Sequence, residues 1–119
     1  MRKRILGKTR LEVTELGFGA WTIDGVSYGD VEKKDAVDTI NSYINAGGNF
    51  IDTARRYDSS ESILGNYFKE YRNRETIILC SKTFAGQQIE TVPIIREDVE
   101  ASLKPVSYTH LTLPTNREV

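Results

Sequence analysis

Thr76-Ile77-Ile78-Leu79-Cys80-Ser81 is a near-continuous apolar run of strand length, without the polar alternation that would leave one face in water. A strand covered on both faces is the habit of parallel sheets, whose crossover helices pack on each side. The flanking residues supply such helices. Upstream, Ile63, Leu64, Tyr67, Phe68 and Tyr71 recur at steps of three and four, the core-facing side of a helix opened by Asp58 with Glu61 as its capping-box partner. Downstream, Pro93 suits the first turn of a helix that buries Ile95, Val99 and Leu103.

The same rhythm extends toward the N-terminus. Asn49 to Thr53 reads as a second short strand. It follows a helix over 31–46 capped by Asp30, with Ala36, Val37, Ile40, Tyr43 and Ile44 on one face and Gly47-Gly48 at its end. Before that, Leu16 to Trp21 reads as a strand whose glycines allow close backbone approach. Residues 1–15 read as a hairpin turning at Gly7-Lys8-Thr9-Arg10. Strand and helix alternate three times, which is the βαβ pattern of an α/β fold with a parallel sheet. Three such strands neither close a barrel nor make a good open sheet, so the chain reads as unfinished.

The composition narrows the function. Sixteen basic and seventeen acidic residues give a net charge of −1, so charge makes no case for nucleic acid or a membrane surface. No apolar run approaches the roughly 20 residues that span a bilayer, and the polar start lacks a signal peptide's apolar stretch. The single cysteine, Cys80, has no partner for an internal disulfide and reads as a buried strand residue. A cytoplasmic location is the expectation.

In parallel α/β barrels, chemistry collects at the C-terminal ends of the strands. Asp52 falls near the end of the second strand, Lys82 directly follows the third, and Tyr57 sits in the loop that leaves the second strand for its helix. Neighbouring strands lie about 4.8 Å apart, so acid and base can pair at the mouth that Tyr57 faces. A phenol ordinarily titrates near about 10. A nearby ammonium favours its ionised form, and a carboxylate can hold that ammonium in place. Such a tyrosine can protonate a carbonyl oxygen while a cofactor supplies hydride to the carbon. Spacing alone favours a purely structural Asp–Lys pair over a catalytic one, and leaves Trp21 equally open to simple core packing.

Leu16 to Trp21, Asn49 to Ala54, Tyr57 with Ser60-Glu61, Ile63-Leu64-Gly65 and Ser81-Lys82-Thr83 together resemble the aldo/keto reductase family, in order and separation over residues 1–104. Arg4 to Thr9 is similar to that family's barrel-floor hairpin. The resemblance implies the floor hairpin (1–15) and first three βα units (16–104) of a (β/α)8 TIM barrel, which needs about 250 residues to close. It implies NAD(P)H-dependent reduction of small aldehydes or ketones, with an NADP-type cofactor and no metal. Tyr57 becomes the proton donor, Lys82 its tuner and Asp52 the holder of Lys82. By the same resemblance Gly19, Ala20, Trp21 and Asp52 would lie beside the nicotinamide. Gly17-Phe18-Gly19 lacks the third glycine of a dinucleotide-binding Rossmann turn.

Three departures stand against the resemblance. Arg10 occupies a turn position where the family usually has glycine, a strain if φ is positive there. Arg56 and Asp58 flank Tyr57 where small residues are common. The family's fourth catalytic group, a histidine ending the fourth strand, has no counterpart. His110 stands in a different context and reads as an unconnected tail residue.

Residues 105–119 lose the pattern, with Pro114 interrupting any fourth strand. They resemble translated sequencing-adaptor read-through, the alternatives being a frameshift or an unusual C-terminus. The chain as written is therefore expected to be inactive. It reads otherwise as a non-catalytic half-barrel fragment, or as an interaction module associating through its open strand edge.

Overall fold

The computed structural model describes residues 1–83 and 91–105, with backbone only at 91–94. Strands β1 (Lys3–Ile5) and β2 (Glu12–Thr14) form an antiparallel hairpin. Strands β3 (Phe18–Gly19), β4 (Phe50–Asp52) and β5 (Ile78–Cys80) form a separate parallel sheet in sequence order. Helices α1 (Lys33–Asn45), α2 (Ser60–Tyr71) and α3 (Thr91–Leu103) follow these strands in turn. This is the hairpin and first three βα units of a (β/α)8 barrel, as the sequence implies, and the sheet stays open.

The hairpin turn contains the strain anticipated for it. Arg10 has φ of 64°, in the left-handed region where glycine is at home, and Gly7 shares that region at 51°. Asn49, at the threshold of β4, anchors the hairpin to the sheet. Its Oδ1 accepts from the Thr14 N–H at 2.8 Å, and its Nδ2 donates to the Glu12 carbonyl at 2.9 Å.

Helix α1 buries Ala36, Ile40 and Tyr43 against the sheet, with Val37 and Ile44 half-buried beside them. It begins later than expected. Positive φ at Gly25 and Gly29 bends the chain beforehand, so Glu32, not Asp30, precedes the first turn. The helix ends in a Schellman closure: Gly47 N–H donates to the Ile44 carbonyl and Gly48 N–H to the Tyr43 carbonyl. Glycine is required at position 48, where a Cβ would lie 2.3 Å from the Tyr43 ring. The Tyr43 hydroxyl in turn accepts from the Phe50 N–H and shares a hydrogen bond with Thr14 Oγ1, tying α1 to the base of β4 and to the hairpin.

Helix α2 packs Leu64, Tyr67 and Phe68 into the core formed with Ile51, Ile40 and Ile77. Tyr71, expected in the core, is exposed and stacks on Tyr67 at 4.5 Å, because it lies in the last turn beyond the reach of α1. The Asp58–Glu61 capping box does not form. Ser59 precedes the helix without a side-chain cap, while Asp58 sits at φ 30°. In α3, Val99 and Leu103 are half-buried and Ile95 is exposed, since no described element covers that end of the helix. The C-terminus of α3 meets α2 at Gly65, where an added Cβ would lie 1.7 Å from the Pro105 carbonyl oxygen.

Candidate active site

Gly19, Asp52 and Cys80 end the three parallel strands and stand in one row, since Gly19 is the ladder partner of Asp52 and Asp52 that of Cys80. Above this row the chain leaves each strand differently. After β3 it turns at once into a 3-10 helix, Ala20–Ile23, so Ala20 and Trp21 lie on a turn and not in the strand expected there. The reason is local: Phe18 and Gly19 exhaust the pairing with β4, and Ser60 Oγ donates to the Ala20 carbonyl at 2.8 Å, drawing the backbone toward α2. Ser60 Oγ also shares a hydrogen bond with the buried Thr53 hydroxyl, so two loops of the mouth are pinned to the start of α2.

The loop after β4 carries Tyr57, and the segment after β5 carries Lys82. Lys82 Nζ donates to both Asp52 carboxylate oxygens at 2.7 Å and to the Thr53 carbonyl at 2.9 Å. The same ammonium lies 4.9 Å from the centroid of the Tyr57 ring. Burial alone draws the Lys82 ammonium down. Hydrogen bonds to Asp52 and Tyr57, with their charge interactions, more than offset this and leave it above the ordinary lysine value. The carboxylate and the lysine side chains are 43% and 44% exposed, so the pair faces an open mouth.

Trp21 completes an aromatic wall. Its ring stacks on Tyr57 at 5.7 Å with 17° between planes, and Tyr28 meets it edge-on at 5.4 Å. With 46% of its surface exposed, Trp21 is not a core residue. The structure thus brings Tyr57, Lys82, Asp52 and Trp21 to one place, with Gly19 and Ala20 beneath them. His110 lies outside the described residues. Among those residues no group of three His, Cys, Asp or Glu side chains is placed to hold a metal ion, and no helix is long and apolar enough to cross a membrane.

Two carboxylates take roles beyond those the sequence suggests. Glu61 is buried, and its Oε1 accepts from Ser81 Oγ at 2.7 Å, fixing the residue before Lys82. Asp24 is 2% exposed and organises the turn beside Trp21. Its Oδ1 accepts the N–H groups of Val26 and Ser27 at 2.9 Å, and its Oδ2 accepts from Ser27 Oγ. Ser27 Oγ, joined by the two backbone N–H groups, holds the Asp24 carboxyl below the usual carboxylate range. Asp24-Gly25 carries turn chemistry in the sequence, since an Asp side chain commonly accepts from the backbone two residues on in an Asx turn.

Comparison with known proteins identifies the family. The profile of the aldo/keto reductase family matches residues 15–111, and the chain belongs to that family. The matched span takes in residues 105–111, assigned above to the tail, and leaves out 112–119. The chain is similar to the aldo-keto reductase YhdN of Bacillus subtilis, at 32% identity over 116 residues covering 91% of this chain and 35% of that protein. It is 33% identical over 82 residues to the NADH-specific methylglyoxal reductase of Escherichia coli, covering 66% of this chain and 25% of that one. An aldo-keto reductase structure from Bacillus halodurans, in its holo form, superposes with a TM-score of 0.73 at 28% identity, covering 93% of this chain and 38% of that chain. The chain spans about a third or less of the length of these two curated relatives.

Proposed function

We propose that the chain supplies the proton-donor side of a carbonyl-reducing site, acting on small aldehydes or ketones with an NADP-type cofactor. One observation carries this: Lys82 is bonded to both oxygens of Asp52 while it lies against the ring of Tyr57.

The residues present fit the nicotinamide end of such a cofactor. Gly19 has open space where a Cβ would stand, with no atom within 4 Å, and Trp21 is half-exposed beside it. Gly19, Ala20 and Trp21 would hold a flat ring there, and Asp52 lies in the same row. The cofactor, when bound, supplies the hydride that goes to the carbonyl carbon. Tyr57 Oη gives its proton to the carbonyl oxygen. Lys82, held protonated by Asp52, stabilises the negative charge left on that phenolic oxygen. The aromatic wall of Trp21 and Tyr28 borders the same mouth and screens it on one side.

We assign this activity to the complete barrel and expect the 119-residue chain alone to be inactive. A cytoplasmic setting, and non-specific self-association through the open sheet edge, belong to the same proposal. A chimera with residues 1–104 in place of the aligned segment of the Bacillus subtilis relative tests the site. It should oxidise NADPH with small carbonyl compounds, and Tyr57→Phe should lower kcat by about 10²–10⁴-fold, the usual contribution of a general acid. An equally active Tyr57→Phe chimera removes Tyr57 from the chemistry. NADPH fluorescence with the 119-residue chain should show no quenching, and micromolar binding would overturn the expected inactivity.

A further inference from the structure

Trp21 stacks on Tyr57, yet neither residue fixes the other's orientation, because ring stacking is weak and tolerant of slippage. The indole N–H is directional. It donates to Ser27 Oγ at 2.6 Å, and the hydroxyl of Ser27 donates to Asp24 Oδ2. Asp24 also binds the loop that carries Ser27, through the N–H groups of Val26 and Ser27. Its backbone is tied to α2, since Ser59 Oγ donates to the Asp24 carbonyl at 2.6 Å.

We propose that Asp24 and Ser27 are positioning residues, which set the plane of Trp21 against Tyr57 through the relay from Asp24 carboxylate to Ser27 hydroxyl to indole N–H. The proton count makes the relay one-directional. An ionised carboxylate can only accept, so the single Ser27 proton is committed to Asp24. The serine lone pairs are then left facing the indole, which can only donate. That arrangement satisfies all three groups at once. Asp24 is almost fully buried whereas Ser27 lies at the surface, so the carboxylate is the fixed end of the relay and the serine the link. The consequence for proton donation rests on the function proposed above, because Tyr57 is the phenol whose ring Trp21 covers. The relay itself does not depend on turnover.

Trp21 is the only tryptophan in the chain, so its emission reports the relay directly. Steady-state fluorescence and iodide quenching would be measured on the full 119-residue chain and three variants, with far-UV circular dichroism as a check on folding. Ser27→Ala removes the indole acceptor from a surface position. It should red-shift the emission, raise the iodide quenching constant and leave the far-UV spectrum unchanged. Ser27→Thr keeps the hydroxyl and should restore the parent emission. Asp24→Asn keeps an oxygen for the two backbone N–H groups but turns toward Ser27 an NH2 that cannot accept the serine proton, so the hydroxyl loses the anchor that holds its lone pairs toward the indole. It should therefore reproduce the Ser27→Ala signature.

Unchanged emission in Ser27→Ala would overturn the relay. So would parent-like emission in Asp24→Asn, or failure of Ser27→Thr to restore the signal. Should Asp24→Asn not fold, the two serine variants still decide. Loss of carbonyl reduction in the chimera with these emission results intact would count against the proposed function alone.

Discussion

Asp52 and Cys80 are partners across the parallel β4–β5 ladder, and that pairing places Lys82. Side chains alternate faces along a strand, so Lys82, two residues beyond Cys80, returns to the side that Asp52 occupies. The carboxylate, the thiol and the ammonium thus share one corner of the mouth. The carboxylate and the ammonium each leave a mark on the thiol.

The thiol is the simplest reporter. Burial first, and the Asp52 carboxylate next, push the Cys80 thiol up, while Lys82 pulls it down. Only thiolate is nucleophilic, so Cys80 should react with iodoacetamide near neutral pH more slowly than a free thiol. Asp52→Asn should accelerate the reaction and Lys82→Met should slow it further. Faster alkylation in Lys82→Met would contradict the observed placement.

Lys82 also predicts a pH dependence of stability. Its folded value lies above the ordinary lysine value of about 10.4. The folded state therefore binds the proton more tightly than the unfolded chain. The stabilisation is fully present below the unfolded value and is lost as pH rises through the folded one. Urea midpoints of the parent should fall across that alkaline window more steeply than those of Lys82→Met, which lacks the group. Parallel profiles would remove the coupling.

The contact between α2 and α3 gives a packing prediction. A methyl group at position 65 would collide with the Pro105 carbonyl. Gly65→Ala should lose about 1–3 kcal/mol in urea unfolding, typical of overpacking, despite alanine's higher helix propensity. A stabilised variant would mean that α3 docks elsewhere.

Arg10 predicts the opposite sign. A residue with a side chain in the left-handed region carries about 1–2 kcal/mol of strain, and the greater unfolded-state freedom of glycine returns part of it. Arg10→Gly should therefore stabilise the chain by about 1 kcal/mol or less, read as a higher urea midpoint at unchanged slope. No change would place the strain of Arg10's φ of 64° elsewhere in the hairpin.

Much of this was legible in the residues themselves. Apolar periodicity located all three βα units because it records which faces must leave water, a local property of each segment. The Asp52–Lys82 pair was equally legible, since strand ends in adjacent βα units must lie side by side. Caps were misread at Asp30 and Asp58 for one physical reason. A cap depends on the angle at which the chain enters its helix, and turns at Gly25, Gly29 and Asp58 set those angles.

Tertiary structure decided what each side chain meets. Tyr71 and Ile95 carry the periodicity of core residues, yet exposure depends on whether a neighbouring element reaches them. Glu61 looked like half of a capping box and instead holds Ser81. The indole N–H of Trp21 meets Ser27, which is bonded to a carboxylate three residues from the indole, and the Trp21 ring meets Tyr57 from another βα unit. Sequence thus determined which segments become strands and helices, because burial of apolar faces is encoded segment by segment. Only the folded chain decided the polar contacts around Tyr57, because hydrogen bonds need partners placed to within a few tenths of an ångström.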